Sequence, residues 1–295
     1  MDGYRHFYQK YLHLAPFESP FSYRKHSTIG VGGEAKIAFF PRTIDEAVAL
    51  FSALDADGQQ YVVLGCLSNV LPRDGLSDKI VVCTKQLTGV SFEKDSAFAL
   101  AGTTTGGFLK ACKEQGVCGA EFLVGIPCTI GGAVYMNAGA ADVYMESIVK
   151  KVLVYADGKT IWRQKDDCGY AYKHSAFMDG KTVILGICLE VSSASREEIE
   201  ERTAYFRDKR KSLPKGRSMG CVFKNPAGGF AGKLIEEAGL KGKRIGGAYV
   251  SDKHANFILA DGINACDVKT LIEEIKRTVY VKTGVKLEEE IRYLD

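Results

Sequence analysis

Arg217 to Pro226 reads RSMGCVFKNP, and three of its side chains can do chemistry. Strand alternation places Cys221, Phe223 and Asn225 on one face and Gly220, Val222 and Lys224 on the other. A thiol and a carboxamide then share a face, and the ammonium of Lys224 is available to a phosphate or another negative group. A cysteine in such a strand is either a small core filler or a thiol that reacts, and residue type alone does not decide between them.

Two glycine-rich stretches form the second constellation: LGCLSN from Leu64, and VGIPCTIGGAVYMNAGA from Val124. Glycines let successive backbone N–H groups converge on an anion and let a flat cofactor approach the main chain. Ser68, Asn69 and Thr129 add side-chain donors. Either loop alone reads as a tight turn; two together are harder to account for in that way. Other motifs fail on spacing. GGFAGKL is one residue short of a phosphate-binding P-loop and has Leu234 where the metal-binding hydroxyl belongs. GVGGEA lacks the dinucleotide glycine pattern. His6 and His13 fall in an N-terminal arm expected to be mobile, no H-E-x-x-H occurs, and no metal site is expected.

A chain of 295 residues has room for two or three domains with real cores. Its 39 basic and 36 acidic residues are interspersed, which argues against a nucleic-acid partner while leaving room for local anion sites. No apolar run approaches bilayer-spanning length and the N-terminus has no apolar leader segment, so a soluble cytosolic protein without a membrane partner is expected. Nine cysteines without a C-x-x-C pair fit reduced thiols that mostly fill cores.

The elements that must hold these groups follow from pattern. A helix begins at TIDEAVALFSAL, with Thr43 and Glu46 as a capping box and Ala47, Leu50, Phe51 and Leu54 on one face. YVVLG and KIVVC read as buried strands on either side of a loop, CLSNVLPRDG, at the strand end where α/β folds bind ligands. SAFALAG is a strand and TTTGGFLKACKEQG a helix. Two further strands are joined at Asp157-Gly158 as a hairpin, and TVILGICLEVS is another strand. A charged helix from Arg196 is expected to stop at Pro214. The last hundred residues read as a separate α+β unit with helices at FAGKLIEEAG and DVKTLIEEIKRTVYVKTG, the latter capped by Asp267 and ended near Gly284. The chain closes on the strand VKLEEEIRYL.

GAEFLVGIPCTIGGAVYMNAGA, GCVFKNP, AGKLIEEAGLKG, VSDKHANFI and LEEEIRYL, in that order, resemble the bacterial UDP-N-acetylenolpyruvoylglucosamine reductase family from about Thr28 to Arg292. The resemblance implies an α+β protein: a two-part FAD-binding domain of the vanillyl-alcohol-oxidase (PCMH) type, here 1–85 and 86–195, plus a C-terminal α+β substrate-binding domain, 196–295. It implies FAD and NADPH as cofactors, a UDP-sugar substrate, and reduction of the enolpyruvyl ether to UDP-N-acetylmuramate, a cytosolic step of peptidoglycan synthesis. The chain is read as a monomer. The short tract between Phe177 and Arg196 is similar to the family's second type, which lacks a tyrosine-bearing lid.

Roles carried over by position follow. Leu64, Gly65, Cys66 and Leu67, then Ser68, Asn69, Val70 and Leu71, would hold the FAD pyrophosphate. Gly125, Ile126, Pro127 and Thr129, then Ile130, Gly131 and Gly132, with Asn137, Ala138 and Gly139, would line the flavin. Cys66, Leu67 and Cys128 stand where the family usually has glycine, so flavin binding could be weakened. Lys173 stands for an arginine on the substrate carboxylate, keeping the charge and losing the bidentate fork. Tyr172, Lys224 and Asn225 would touch substrate. Glu290 matches the acidic partner of the enol intermediate, against a plain edge-strand charge beside Glu288 and Glu289. Cys221 occupies the place of a proton-donating serine. A thiol titrating near ~8.5 is mostly protonated at neutral pH and is a far stronger acid than a hydroxyl. The alternatives are an FAD-dependent oxidoreductase of the same fold with another substrate, or a flavin-binding relative with impaired catalysis.

Overall fold

The computed structural model of the chain describes residues 8–294. The chain forms two compact units, and each is built from separated segments. The first comprises Met1–Ser19, Ile37–Cys66 and Lys79–Lys211, the second Pro20–Lys36, Leu67–Asp78 and Ser212–Asp295. The helix from Arg196 therefore belongs with the first unit, and two short early segments belong with the chain's C-terminal part. Among the described residues no helix is long and apolar enough to cross a membrane. His6 lies outside the described residues. His13 is exposed, but it sits on an arm whose Tyr8, Tyr11 and Ala15 are buried, so that stretch is anchored by its apolar side chains.

The first unit carries a four-stranded sheet and a five-stranded sheet. In the former, Phe17–Glu18, Ala38–Phe39, Ile80–Cys83 and Tyr61–Leu64 lie side by side, with the last three mutually parallel. Ile80–Cys83 is buried on both faces, which explains its continuous apolar run, whereas Tyr61–Leu64, expected as a buried strand, lies at the sheet edge and is fully buried only at Leu64. Helix α1, Ile44–Ala56, buries the expected stripe of Ala47, Leu50, Phe51 and Leu54. Its cap is only half of the expected box: Thr43 Oγ1 accepts from Glu46 N, while the Glu46 carboxylate accepts from Arg42 N at 2.8 Å. In the five-stranded antiparallel sheet, Lys159–Gln164, Val149–Ala156, Val183–Glu190, Ser96–Leu100 and Val90–Glu93 follow in spatial order. Asp157 and Gly158 join the first pair with φ of 50° and 73°, the left-handed pair that a two-residue hairpin requires. Helix α2, Thr105–Gln115, runs from the Thr104 cap to Gly116. Helix α3, Ile130–Tyr135, is capped by Thr129. Helix α4, Arg196–Lys209, starts on a reciprocal Ser195/Glu198 box. It ends at Lys209, before Pro214, because the chain turns at Arg210 and Lys211 onto the carbonyls of Arg207 and Asp208.

In the second unit, Ser218–Cys221, Phe257–Ala260, Ala248–Val250 and Arg244–Ile245 form an antiparallel sheet. Helix α5, Ala231–Glu237, and helix α6, Ala265–Thr283, complete its C-terminal part. Helix α6 buries Val268, Leu271, Ile272, Ile275 and Val279, a three-and-four spacing that turns one stripe inward. Asp267 is not its cap. Asn264 is, without a side-chain bond, and the Asp267 carboxylate accepts from Gly247 N at 2.9 Å. The capping role falls to Asp74, whose two carboxylate oxygens accept from Ala265 N and Cys266 N at 2.8 Å each. The stretch expected as a loop after Cys66 contains a strand, Val70–Pro72, paired in parallel with Arg292–Leu294. Those three residues are the only part of VKLEEEIRYL that forms regular strand; Leu287 and Ile291 are buried all the same.

Asp74 satisfies two of the N–H groups that a helix start leaves without partners. Asp74→Ala is expected to lower unfolding free energy by about 1–2 kcal/mol, with Asp74→Asn losing less because one acceptor oxygen remains. Urea denaturation followed by far-UV circular dichroism measures both.

Candidate active site

In the first unit Gly65, at the start of one glycine-rich loop, is pressed against Thr129 of the other. A Cβ placed on Gly65 would lie 2.6 Å from Thr129 Oγ1, so only glycine permits this approach. Thr129 is 1 % exposed and its hydroxyl accepts from Gly132 N at 3.1 Å. Ile130 N donates to Thr103 O at 2.8 Å, and Gly131 N to Ala101 O at 2.9 Å. A Cβ on Gly131 would meet the Cβ and carbonyl of Ala101 at 2.9 Å. The IGG glycines thus seat helix α3 against the sheet, and their N–H groups are spent on the protein. Thr105 fixes the start of the same loop, its N–H on Cys128 O and its hydroxyl on Ile126 O at 2.5 Å. Gly125 and Pro127 are exposed there, and Arg210 donates to Gly125 O at 3.1 Å.

The Leu64 loop is arranged differently. Among the described residues, no protein acceptor receives the N–H groups of Gly65 and Cys66, where the strand ends, or of Leu67 and Ser68, which follow. Leu67 has φ of 50°, the left-handed conformation that favours glycine. Consecutive N–H groups with one residue in the left-handed region make an anion-binding concavity. The main-chain donors of this loop are open to an anion, and the Cys66 and Leu67 side chains do not remove them.

The cysteines of this region are quiet. Burial pushes the Cys128 thiol up to about 12. Burial also raises Cys66, against the pull of Lys85. Among the described residues no disulfide joins any of the nine cysteines.

Lys173 sits on a tight turn. Ala171 and His174 exchange two backbone hydrogen bonds of 3.1 Å, and Lys173 takes φ of 56° at the tip. Two side chains tie this turn to the end of helix α3. Asn137 Nδ2 donates to Ala171 O at 3.0 Å, and Ser175 Oγ donates to Tyr135 O at 2.7 Å. Asn137 is 1 % exposed, its Oδ1 accepts from Glu146 N at 3.0 Å, and its φ of 45° lets Ala138 N reach back to Ala133 O. Expected as a cofactor contact, Asn137 has both ends of its carboxamide bonded to the protein. The exposed Tyr172 ring meets Tyr144 edge-on at 6.3 Å, and Tyr144 pairs with Gly139. The structure thus brings Tyr172, Lys173 and the end of the second glycine-rich loop together.

Cys221, Lys224, Asn225, Asn69 and Glu290 are gathered in the second unit. The alternation expected from Arg217 to Pro226 does not hold. Gly220 takes φ of 78° and the pairing slips between Ser218 and Cys221, after which Val222 and Phe223 are both buried. Cys221 is half-buried at the strand's end, opposite Phe257. Beyond it the chain lies along the C-terminal segment: Glu290 N donates to Val222 O and Lys224 N to Glu288 O, each at 2.8 Å. Asn69 continues the lacing, donating from Nδ2 to Glu290 O at 3.0 Å and accepting from Arg292 N at 2.9 Å. Glu288 and Glu289 each hold a lysine. Glu288 pairs with Lys224 at 2.5 Å, and Glu289 with Lys276 at 2.7 Å, which raises the Lys276 ammonium. Asn225 Oδ1 accepts from Ala231 N at 3.1 Å and so caps helix α5. Sequence reasoning had no view of Asn256, whose carboxamide bonds both backbone groups of Phe223. Its place in the KHANF stretch was the one available signal.

At Leu67 the left-handed backbone and the buried side chain oppose each other, so truncation separates them. Leu67→Gly is expected to be more stable than Leu67→Ala by about 1 kcal/mol, because alanine keeps the strain without the buried side chain. Thermal denaturation of the pair checks this. A thiol near 12 is thiolate to only ~1 part in 10⁴ at pH 8. Peptide-mapped iodoacetamide labelling of native protein should therefore leave Cys128 unmodified while the exposed Cys266 reacts.

Residues 211–294 match the model of the UDP-N-acetylenolpyruvoylglucosamine reductase C-terminal domain, and residues 35–163 match an FAD binding domain. The UDP-N-acetylenolpyruvoylglucosamine reductase of Methylococcus capsulatus is 39% identical over 273 residues, covering 90% of this chain and 89% of that protein. The enzyme of the same name from Caldicellulosiruptor saccharolyticus is 37% identical over 275 residues, covering 91% and 88%. The crystal structure of UDP-N-acetylenolpyruvylglucosamine reductase from Thermus caldophilus superposes with a TM-score of 0.82 at 32% identity, across 95% of this chain and 100% of that one. With both parts of the chain matched and relatives similar along nearly all of it, the chain belongs to the UDP-N-acetylenolpyruvoylglucosamine reductase family.

Proposed function

We propose that this chain reduces UDP-N-acetylglucosamine enolpyruvate to UDP-N-acetylmuramate for peptidoglycan synthesis in the cytosol, using FAD and NADPH. Residues 1–85 and 86–195 serve the flavin and residues 196–295 the substrate. Family membership supports the reaction, and the observation that carries the site is the lacing of Cys221 and Glu290 onto adjoining backbone segments. FAD, when bound, would supply the hydride, drawn from NADPH, for reduction at the β-carbon of the enolpyruvyl group.

The chain's own residues do the rest. The Leu64 to Ser68 main chain binds the pyrophosphate through its N–H groups. Lys173, displayed on a strained tip, balances the substrate carboxylate, where negative charge grows as enolate character develops. Cys221 Sγ–H gives its proton to the α-carbon, and the resulting thiolate regains a proton from solvent. Glu290 is the acidic partner of the enol intermediate. Lys224, held by Glu288, offers its charge to the UDP-sugar, and Asn225 and Tyr172 contact the same ligand.

Anaerobic stopped-flow measurement at the flavin absorbance band tests this. The purified protein should be yellow, bleach with NADPH, and recover when the enolpyruvyl substrate is added. Colourless protein that takes up no FAD would sink the reading, and protein that bleaches without recovering would point to another substrate. Cys221→Ala is expected to bleach normally and to recover about 10²–10⁴-fold more slowly, the usual range for a lost general acid. Recovery at the parent rate would remove the proton from Cys221. Lys173→Met should lower kcat/KM by about tenfold to a hundredfold through the lost charge-assisted bond, with Lys173→Arg restoring most of it.

A further inference from the structure

We propose that Asn256 is a positioning residue for the proton transfer assigned to Cys221, acting through the main chain of Phe223; this rests on the reading given above for Cys221. The strand Ser218–Cys221 ends just before Phe223. The Phe223 side chain is 1 % exposed, so its peptide groups have no access to bulk water. Its carbonyl and N–H face the carboxamide of Asn256. Oδ1 accepts from Phe223 N at 2.9 Å, and Nδ2 donates to Phe223 O at 2.8 Å. The side chain thus replaces a neighbouring strand, supplying donor and acceptor together, as only a carboxamide of this length can do from here. The Asn256 main chain adds a third bond, its carbonyl accepting from Val222 N at 2.9 Å.

Asn256 is itself held. It is 3 % exposed, and its N–H donates to His254 Nδ1 at 3.3 Å. Burial lowers the His254 pKa, keeping the ring neutral and Nδ1 an acceptor. On the other side of the segment, Glu290 N and Lys224 N bond to Val222 O and Glu288 O. Residues 222–224 are therefore clamped from two sides, while Gly220, with φ of 78°, is a flexible neighbour to Cys221. Loss of the Asn256 clamp leaves Cys221 between a glycine and a segment with broken bonds. A displacement of about 1 Å in a group that must meet a carbon costs ~10²-fold in rate.

The test uses the FAD-loaded full-length protein. Asn256→Ala should keep NADPH-driven bleaching within about twofold of the parent and slow substrate-driven recovery about tenfold to a hundredfold, seen in kcat with little change in KM. Hydrogen exchange should show lost protection at the Phe223 amide while the amides of Phe257–Ala260 stay protected. Adding Asn256→Ala to Cys221→Ala should slow recovery no further. If Asn256→Ala does not accumulate as folded protein, Asn256→Asp carries the same test, being isosteric and keeping the acceptor for Phe223 N while losing the donor when ionised. Recovery at the parent rate in the folded Asn256 variant, with Cys221→Ala slow, overturns the inference alone. A full further loss on the Cys221→Ala background also overturns it. Recovery at the parent rate in Cys221→Ala overturns the proton-donor reading and the inference with it.

Discussion

The peptide groups of Val222, Phe223 and Lys224 are the constraint from which the second unit's chemistry follows. Val222 and Phe223 are buried, yet the strand that carries them has already ended at Cys221, so their N–H and C=O groups need partners that no regular ladder supplies. Those partners come from Asn256 on one side and from residues 288–290 on the other. A backbone that cannot be wetted must be bonded, and bonding it fixes where Cys221 and Glu290 stand. The irregularity is thus what brings the two groups onto neighbouring segments; a continued strand would have paired along its length and left the C-terminal segment elsewhere.

The same economy ties distant parts of the sequence together throughout that unit. Asp74 lies far from helix α6 in sequence yet supplies the acceptors for its first N–H groups. Gly33 can exist only as glycine because a Cβ there would collide with the Gly75 backbone. The strand Val70–Pro72 has no partner until Arg292–Leu294 arrives beside it. Each of these contacts closes a long loop in the chain, an entropic cost recovered only when the burial and the bonds form together. The unit is therefore cooperative in the sense that its C-terminal residues complete structure begun before residue 36.

Locally determined features were legible in the sequence, and features that depend on a distant partner were not. Thr43 capping, the inward stripe of helix α1, the Asp157-Gly158 hairpin and the Gly284 stop all follow from neighbours within one turn, and the structure has them. Asp267 satisfied the same local rules for a cap and lost that role to Asp74, while its own carboxylate accepts from Gly247 N, and no local window contains either partner. Period-two alternation failed after Gly220 because a bulge changes the phase, and glycine composition alone does not announce one. The glycine-rich loops were visible as a pair, but their division of labour was not. The IGG run packs a helix, and the N–H groups without a main-chain acceptor belong to the other loop, including a leucine in a glycine conformation. Family resemblance located Cys221 and Glu290; only coordinates could reveal that their backbones share a hydrogen-bonded segment.

Burial separates the roles open to Cys128 and Cys221. Cys128 lies deep in the first unit, and the loss of solvation that raises its thiol to about 12 removes it from acid–base and oxidative chemistry alike. Its side chain is accommodated because the loop's hydrogen bonds run through main chain and threonine. Cys221 is half-buried at a strand end. A proton donor has to meet its substrate and regain its proton from water, and a sealed thiol can do neither. The partial exposure that makes Cys221 usable as an acid also leaves it open to oxidants, a liability that serine would not carry. The proton-transfer role proposed for Cys221 therefore depends on the geometry of the 220–224 segment, which holds the thiol at the edge of the packed core.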